Sequence, residues 1–232
     1  TPTRKDGLDQ IVFWNFGPIA HEVIKKDILE KPHVVQIMFK KKYKRNSYCK
    51  WTRDSQGKYR PSDDINVMKY RKMLMKDDSR NKLIITEMVN ARLKGRKALI
   101  MTHFRDHAEM LKDLFMKEMD KSDKEVVTST TTSLLMGGTK DLEEAMTADY
   151  IFTTYSFSRD ALNLPHLDTL FFATPPGDPI QPLGRLRDVG SNKQPLLAVD
   201  VFETTSYARN RANHRRDVYQ SLGSKVSVIV RD

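Results

Sequence analysis

The sequence predicts an α/β fold with a mostly parallel sheet and helices on both faces, on the basis of two observations. Apolar runs of strand length, at 150–152 and 167–173, end in hydroxyl or turn residues, which is typical of the interior strands of a parallel sheet. Such runs alternate with segments of helical periodicity, as in βαβ units with right-handed crossovers. We therefore expect one α/β domain that carries a basic insertion at 40–61.

The elements before the insertion are short. An apolar element at 11–16 is followed by a turn, and a helix is expected over 20–29. The run HVVQIMF at 33–39 contains several β-branched residues and predicts a strand.

Residues 63–94 show helical periodicity in two pieces. The break at Asp77, Asp78 and Ser79 supplies an N-cap for the second piece, because a side-chain oxygen there accepts a backbone N–H that the helix leaves unpaired. Gly95 ends this piece. Its core face is expected to contain Leu83, Ile84, Met88 and Leu93.

The remaining elements alternate in the same way. Strands are predicted at 97–101, 125–136 (one or two), 195–202 and 226–230, the last at an edge of the sheet. Helices are predicted from Arg105 or Asp106 to Met119, from Thr139 to about Met146, and from Tyr207 to Leu222. The first of these helices is expected to bury Ala108, Leu111, Leu114 and Phe115.

Composition narrows the class of protein. No apolar stretch is long enough to span a bilayer and no secretory signal opens the chain, so we expect an intracellular protein of the nucleus or cytoplasm, or one associated with a virus, without a membrane partner. The single cysteine, Cys49, excludes an internal disulfide and disfavours a structural zinc site. A formal net charge of +10 favours a polyanionic partner such as nucleic acid.

The insertion at 40–61 is dense in Lys and Arg, with aromatic residues interleaved. The aromatic residues are Tyr43, Tyr48, Trp51 and Tyr59. Basic side chains pair with phosphates and aromatic rings stack on bases, so this composition suits nucleic acid. The candidate contacts are Lys41, Lys42 and Arg45. A solvated hairpin with a few aromatic side chains packed on the core explains the composition equally well, and the residues alone leave both interpretations open.

Five segments carry a family pattern. They are TPTRKDG at 1–7, KALIMTHF at 97–104, the turn at Gly137 and Gly138, TTYSFSRDALNLP at 153–165, and QPLGRLRD at 181–188. In this order they resemble the second RecA-like lobe of superfamily 2 helicases. The residues of these segments most resemble those of the branch that contains XPB, phage UvsW and the poxvirus transcript-release helicase. The resemblance implies a RecA-like fold and a motor that moves along nucleic acid by hydrolysing ATP.

The resemblance also implies which parts lie elsewhere. Segment 1–10 resembles the hinge between the two lobes. Neither a G-x-x-x-x-G-K-[ST] phosphate loop nor a DExx acidic pair occurs in the sequence, so ATP and Mg2+ would be held mainly by a first lobe that precedes this one. We expect the chain to be a piece of a longer protein and to lack ATP hydrolysis by itself.

Residues of the last two segments are assigned to the nucleotide by the resemblance. Arg185 matches the first arginine of the family's Q-x-x-G-R-x-x-R motif, and its planar, permanently charged guanidinium suits a transferring phosphoryl group. The second arginine would fall at Asp188, so Arg187, one residue earlier, is the other catalytic candidate. Ala161 replaces a family glycine, and Asn163 replaces an aspartate. The cofactor-binding candidates are Gln181, Gly184, Asp160 and Asn163.

Three strand ends are assigned to nucleic acid by the same resemblance. In the family, hydroxyls and backbone N–H groups at these turns hold the sugar–phosphate backbone, which requires no base identity. The matching residues are Thr102, His103, Gly137, Gly138, Thr153 and Thr154. The arginines of the helix at 207–222 either add to these nucleic-acid contacts or solvate an exposed face.

The main hypothesis is the C-terminal motor lobe of an ATP-dependent helicase or translocase, with nucleic acid and the first lobe as partners. The branch resemblance favours DNA over RNA, and a viral origin stays open. A second hypothesis is a lobe that binds nucleic acid or another partner and has lost ATP turnover, which Ala161 and Asp188 support. A third is an unrelated nucleotide-binding α/β domain whose basic charge is incidental.

Overall fold

The computed structural model describes residues 31–121, 129–139, 142–157, 164–186 and 194–232, in which strands alternate with helices. The strands are β1 (His33–Phe39), β2 (Cys49–Arg53), β3 (Tyr59–Ile65), β4 (Ala98–Thr102), β5 (Thr132–Leu135), β6 (Tyr150–Thr154), β7 (Thr169–Phe172), β8 (Leu197–Glu203) and β9 (Val226–Arg231). The helices are α1 (Val67–Met75), α2 (Asp78–Leu93), α3 (Arg105–Met119), α4 (Leu142–Thr147), α5 (Ile180–Leu183) and α6 (Ser206–Ser221).

Seven strands form one sheet in the order β5-β6-β4-β7-β8-β1-β9. Every neighbouring pair in it is parallel, so the carboxyl ends of all seven strands meet at one edge, named the carboxyl edge below. β2 and β3 pair antiparallel and form a separate hairpin between β1 and α1. The predicted parallel α/β sheet is confirmed, with β9 as its predicted edge strand.

Side chains pack on both faces of the sheet. In β6, Tyr150 and Phe152 join one core with α2 and α3, whereas Ile151 joins a second core with α4 and α6. This alternation follows from the two-residue period of a strand. Strands buried on both faces read as continuous apolar runs, which is why β6 is recognisable in the sequence. The expected helices on both faces are therefore confirmed.

The boundaries of the helices follow from their caps. α1 begins at Val67, later than the expected residue 63, because β3 continues to Ile65 and Asn66 then accepts the N–H of Lys69 at 3.0 Å. The predicted cap of α2 is confirmed, since Asp77 accepts the N–H of Arg80 at 3.2 Å. Within the described residues, no helix has both the length and the apolar character needed to cross a membrane.

Two expected core positions are wrong. Leu93 is 50% exposed because it is the last residue of α2, where the helix leaves the core, and Leu114 is 37% exposed at the rim of the α3 stripe. The apolar residues that α2 buries in the core are Ile84, Ile85, Met88, Val89 and Ala91. The elements expected at 11–16 and 20–29, and the hinge at 1–10, lie outside the described residues.

A buried ion pair joins the helices to the carboxyl edge. Arg80 of α2 donates from Nε to Glu203 Oε1 at 2.6 Å, and both side chains are fully buried. The same guanidinium donates to the carbonyl oxygens of Ala173 at 2.5 Å and Val201 at 3.2 Å. Tyr70 of α1 donates its hydroxyl to Glu203 Oε2 at 2.5 Å. Buried charges persist only when they are paired and hydrogen-bonded. The charges of Arg80 and Glu203 meet this condition, because they pair with each other and hydrogen-bond to Tyr70, Ala173 and Val201.

Replacing Glu203 with glutamine should lower the free energy of unfolding by about 3–5 kcal/mol, because the Arg80 guanidinium stays buried without a counter-charge. Urea denaturation followed by circular dichroism measures this loss. Asp64→Asn is the matched control, because the carboxylate of Asp64 pairs with Lys50 on the surface at 3.5 Å. It should change the free energy of unfolding by less than about 1 kcal/mol. Small and equal losses in both variants would contradict the structural role of the buried pair.

Candidate nucleotide and nucleic-acid interface

A cleft of about 340 Å³ opens at the carboxyl edge, beside the ends of β4, β6 and β7. The ring of Tyr155, directly after β6, and the imidazole of His103, directly after β4, lie against each other in its wall, with ring centroids 4.6 Å apart. Arg71 of α1 and Gln181 of α5 complete two other sides. In a parallel sheet, ligands bind outside the carboxyl ends of the strands, so this cleft is the candidate site.

Threonines hold the strand ends of the cleft in place. Thr174, after β7, accepts the backbone N–H of His103 at 3.0 Å, and its hydroxyl oxygen lies 2.7 Å from His103 Nδ1. The hydroxyl of Thr102 lies 2.8 Å from Nδ1 of His107, whose Nε2 lies 3.1 Å from Asn81 Oδ1. These bonds connect β4, β7, α2 and α3, so the edge is a fixed surface.

Both histidines at this edge are neutral at physiological pH. Burial, and to a lesser extent the positive charge of Arg71, together lower the pKa of His103 to about 3. Burial also lowers the pKa of His107 to about 3, with Arg80 and His103 contributing in the same direction. The cleft therefore takes its positive charge from the guanidinium of Arg71 and none from its imidazoles.

Tyr155 and Arg71 are cleft residues that sequence reasoning missed. The hydroxyl of Tyr155 donates to the carbonyl oxygen of Thr174 at 2.6 Å. The backbone N–H of Tyr155 donates to the carbonyl oxygen of Thr102 at 2.9 Å. Burial raises the pKa of this phenol well above its usual value. Tyr155 follows the quoted Thr153 and Thr154 directly, so the strand-end signal could have included it. Nothing in the sequence around Arg71 points to the cleft.

The predicted nucleic-acid threonines have buried hydroxyls that bond inside the protein. Thr153 donates to the carbonyl oxygen of Leu135 at 2.6 Å, and Thr154 lies 3.0 Å from the hydroxyl of Ser156. Thr102 is fully buried as well. Their hydroxyls therefore fix the turns rather than face a ligand. Contact between these strand ends and a nucleic-acid backbone stays a prediction, with Ser156 as the exposed hydroxyl among them.

The predicted glycine turn is exposed and lies after β5. Gly138 has a φ of +94°, a conformation that side chains with a Cβ rarely adopt, so a glycine is required there. Arg105 of α3 donates to the carbonyl oxygen of Gly137 at 2.6 Å. The hydroxyl of Thr139 donates to the carbonyl oxygens of Met136 at 2.7 Å and Leu134 at 3.1 Å, so it closes this turn.

Of the predicted nucleotide residues, three lie on or beside α5. Gln181 is exposed and lines the cleft. Gly184 is exposed at the turn that ends α5, where a Cβ would lie 3.3 Å from the carbonyl oxygen of Gln181, a tight contact. Arg185 follows that turn and is half-buried, and its backbone N–H donates to Pro182 at 3.0 Å. The other candidates, Arg187, Asp160 and Asn163, lie outside the described residues, as do Ala161 and Asp188.

The insertion is a hairpin whose basic residues differ in their contacts. Lys41 is half-buried and pairs with the carboxylate of Asp77 at 2.7 Å, and Arg45 pairs with Asp63 on the surface. Lys42 is exposed. The hairpin beyond its base is solvated on both faces, with only its root packed on the core. This matches the second interpretation of the segment structurally and leaves its binding function untested.

The arginines of α6 divide into two kinds. Arg215 is buried and binds both carboxylate oxygens of Asp200, at 2.8 and 2.9 Å, so it belongs to the core. Arg216 donates to the side-chain oxygen of Gln36 at 2.9 Å. Arg209 and Arg211 are exposed. Neither expectation for the arginines of this helix holds for Arg215, because its ion pair with Asp200 of β8 keeps it in the core. Within the described residues, no three His, Cys, Asp or Glu side chains could jointly hold a metal ion.

Solved structures resemble this chain, although no protein-family model and no curated protein matches the sequence. The structure of T4 UvsW matches with a TM-score of 0.58 at 14% identity, over 86% of this chain and 41% of the UvsW chain. S. cerevisiae Dbp5, solved bound to RNA and ADP BeF3, matches with a TM-score of 0.51 at 12% identity, over 99% of this chain and 50% of the Dbp5 chain. The chain thus spans half or less of the length of these proteins.

At these identities the likeness shows the fold alone. The chain has the α/β fold of a RecA-like lobe, as the sequence resemblance implied, and UvsW is one of the proteins that the resemblance named. The seven-stranded parallel sheet agrees with this fold.

Replacing His107 with glutamine should flatten the dependence of stability on pH. The folded-state pKa of about 3 lies below the ordinary value of 6.5, so between these values the unfolded chain binds a proton that the folded protein does not. Stability therefore falls as the pH falls, by about 2 kcal/mol between pH 7 and pH 5 for one such group. Denaturant unfolding of the native protein and of His107→Gln at both pH values measures the difference. An equal loss in both proteins would contradict the neutral, buried state of His107.

Proposed function

We propose that the chain is the C-terminal motor lobe of an ATP-dependent superfamily 2 helicase or translocase. One observation supports the proposal: Gln181, from the last family segment, lines the cleft at the carboxyl edge, and Gly184 and Arg185 follow it in the chain within four residues. A fold by itself hosts many functions, so the site must support the assignment. Here the segment expected at the nucleotide lies where a parallel sheet binds its ligands.

The donor set beside α5 fits a phosphate-bearing ligand. The guanidinium of Arg185 offers a fork of N–H donors to phosphate oxygens, the amide of Gln181 offers both a donor and an acceptor, and the backbone at Gly184 has no side chain to keep a ligand away. ATP supplies the phosphoryl group whose transfer to water drives the motor. Arg185 would stabilise the charge on that group, the role that an arginine plays opposite a phosphate loop. We propose that ATP and Mg2+ are bound mainly by a first lobe.

Nucleic acid is the proposed substrate along which the motor moves. Dbp5, which shares the fold, was solved bound to RNA, and the net charge of +10 suits a polyanion. The strand ends of the carboxyl edge present the exposed hydroxyl of Ser156, a group that can contact phosphates and sugars at any sequence. The preference for DNA over RNA stays a prediction from the sequence.

A second candidate is a lobe that binds nucleic acid and has lost ATP turnover. It is favoured by Ala161 and Asp188, which depart from the family pattern at positions assigned to the nucleotide. The two candidates differ in whether the lobe, joined to an intact first lobe, supports hydrolysis.

Replacing Arg185 with alanine should lower the ATP turnover of the full-length protein by about 1,000-fold or more, because an arginine that stabilises the transferring phosphoryl group contributes that much. Arg185→Lys should recover little of the loss, since lysine keeps the charge and loses the planar fork. Steady-state phosphate release measures both.

Lys94→Ala is the control. It removes an exposed positive charge at the end of α2, at the opposite edge of the sheet, and should leave turnover unchanged. Thermal unfolding of each variant verifies that the fold is intact. Full turnover in Arg185→Ala would refute the catalytic assignment, and turnover below detection in the native protein would favour the second candidate.

A further inference from the structure

The register of the hairpin sorts its side chains onto two faces. Trp51 of β2 lies opposite Pro61 of β3, and Arg53 lies opposite Tyr59. Residues directly opposite each other in an antiparallel pair share a face, and so do residues two positions apart in one strand. Trp51, Arg53, Tyr59 and Pro61 therefore form one surface, named the aromatic face below.

The other face of the hairpin has a different character. Thr52 lies opposite Arg60 there, and the guanidinium of Arg60 is bound to the carboxylate of Asp54 at 2.7 Å. This surface, named the polar face, has a paired arginine and no aromatic ring. The two faces of one hairpin thus give a built-in comparison between an aromatic surface and a polar one.

The aromatic face is exposed. Trp51 is 44% exposed and Tyr59 58% exposed, so neither ring is buried by the fold. The guanidinium carbon of Arg53 lies 4.9 Å from the centroid of the Tyr59 ring, a cation–π contact that orients the ring. Two large rings exposed to solvent on one surface form an apolar patch of the kind that marks an interaction site.

The charge of the segment favours a polyanion as the occupant. Residues 40–65 contain nine Lys and Arg residues against three Asp residues. Each Asp already has a basic partner: Asp54 pairs with Arg60, Asp63 with Arg45, and Asp64 with Lys50. Among the described residues, no acidic partner lies within ion-pair distance of the following basic residues: Lys42, Lys44, Arg53 and Lys58. Their charges remain available to phosphates.

The spacing of the rings favours a single strand over a duplex. Trp51 and Tyr59 are diagonal neighbours across the hairpin, and such positions lie about 7–8 Å apart. Stacked bases in a duplex rise by only about 3.4 Å per nucleotide. Two rings at this spacing can each accept one base of an extended strand, and the bases of a duplex are not open to stacking from the side.

The root of the hairpin fixes it beside the cleft. Tyr48 at its base packs edge-to-face on Tyr70 of α1, with centroids 5.5 Å apart, and Tyr70 packs in the same way on Tyr207 of α6 at 5.2 Å. Cys49 is fully buried. The next residue of α1, Arg71, lines the cleft, and β1 delivers the chain to the hairpin at the carboxyl edge. The aromatic face is thus anchored at the edge where contact with nucleic acid is proposed.

We propose that the aromatic face of the hairpin binds single-stranded nucleic acid, with Trp51 and Tyr59 each stacking on one base and Arg53 contacting a phosphate, while the exposed Lys42 and Lys44 before the hairpin add to the positive charge. The proposal rests on nucleic acid as the partner of this lobe and is independent of ATP turnover. It adds a base-stacking site to backbone contacts that would otherwise hold the strand only by its phosphates.

Fluorescence anisotropy with a labelled 15-nucleotide single strand, either oligo(dT) or oligo(U), tests the proposal on the whole chain. Trp51→Ala and Tyr59→Ala should each raise the dissociation constant about 5- to 100-fold, the range found for removal of one stacked base. The polar-face variant Thr52→Ala should bind within about twofold of the native protein, since no stacking is lost. Arg53→Gln should weaken binding more than Arg60→Gln, although both remove one charge.

A second readout detects stacking directly. Trp14 is the other tryptophan, so in a Trp14→Phe background the emission of Trp51 alone should be quenched when the single strand binds. Polyglutamate of equal charge is the competitor that separates stacking from charge. It should displace the strand poorly, and a duplex of the same length should bind more weakly than the single strand.

Native affinity in both Trp51→Ala and Tyr59→Ala would overturn the proposal and leave nucleic-acid binding by the lobe intact. Equal displacement by polyglutamate, or stronger binding of the duplex, would also overturn it. If the native chain binds no single strand even at low salt, both this proposal and the nucleic-acid part of the proposed function fail. Both rings are exposed, so their removal should leave the fold intact, and the melting temperature of each variant verifies this.

Discussion

The buried pair of Arg80 and Glu203 is the constraint on which the carboxyl edge depends. One guanidinium binds the carboxylate that ends β8 and the carbonyl oxygens of Ala173 and Val201, so it joins α2 to two strands at the place where they end. Tyr70 binds the other oxygen of the carboxylate and brings α1 to the same point. Since a buried charge is tolerated only with all its partners in place, α1, α2, β7 and β8 have one arrangement at this edge.

This arrangement divides the carboxyl edge into two parts, the cleft and the root of the hairpin. On one side, the cleft between His103, Tyr155 and Gln181 adjoins the segment proposed to face ATP. On the other side, Tyr70 supports the root of the hairpin through Tyr48. Both parts are held by α1, whose Tyr70 and Arg71 are consecutive residues. Nucleic acid bound at this edge, as proposed, would meet the neutral imidazole of His103 in the cleft and basic, aromatic side chains at the hairpin.

The sheet could be predicted from the sequence because strands buried on both faces, such as Tyr150–Thr154, leave long apolar runs. The Arg80–Glu203 pair could not be predicted, because the two residues are 123 positions apart and the sequence does not distinguish a buried charged residue from an exposed one. The resemblance to the family picked out Gln181, which lines the cleft, and its assignment to the nucleotide stays a prediction. The resemblance could not show that the hydroxyls of Thr102 and Thr153 bond inside the protein. The aromatic face depends on strand register, which composition does not contain.

The most direct measurement is the ATP turnover of the full-length protein with and without single-stranded DNA or RNA. If the chain is a motor lobe, turnover should rise several-fold when one of these strands is added, and the strand that stimulates turnover is the one along which the motor moves. Turnover that is absent with both strands, in a protein whose first lobe carries an intact phosphate loop, would contradict the motor function and leave a lobe that only binds nucleic acid.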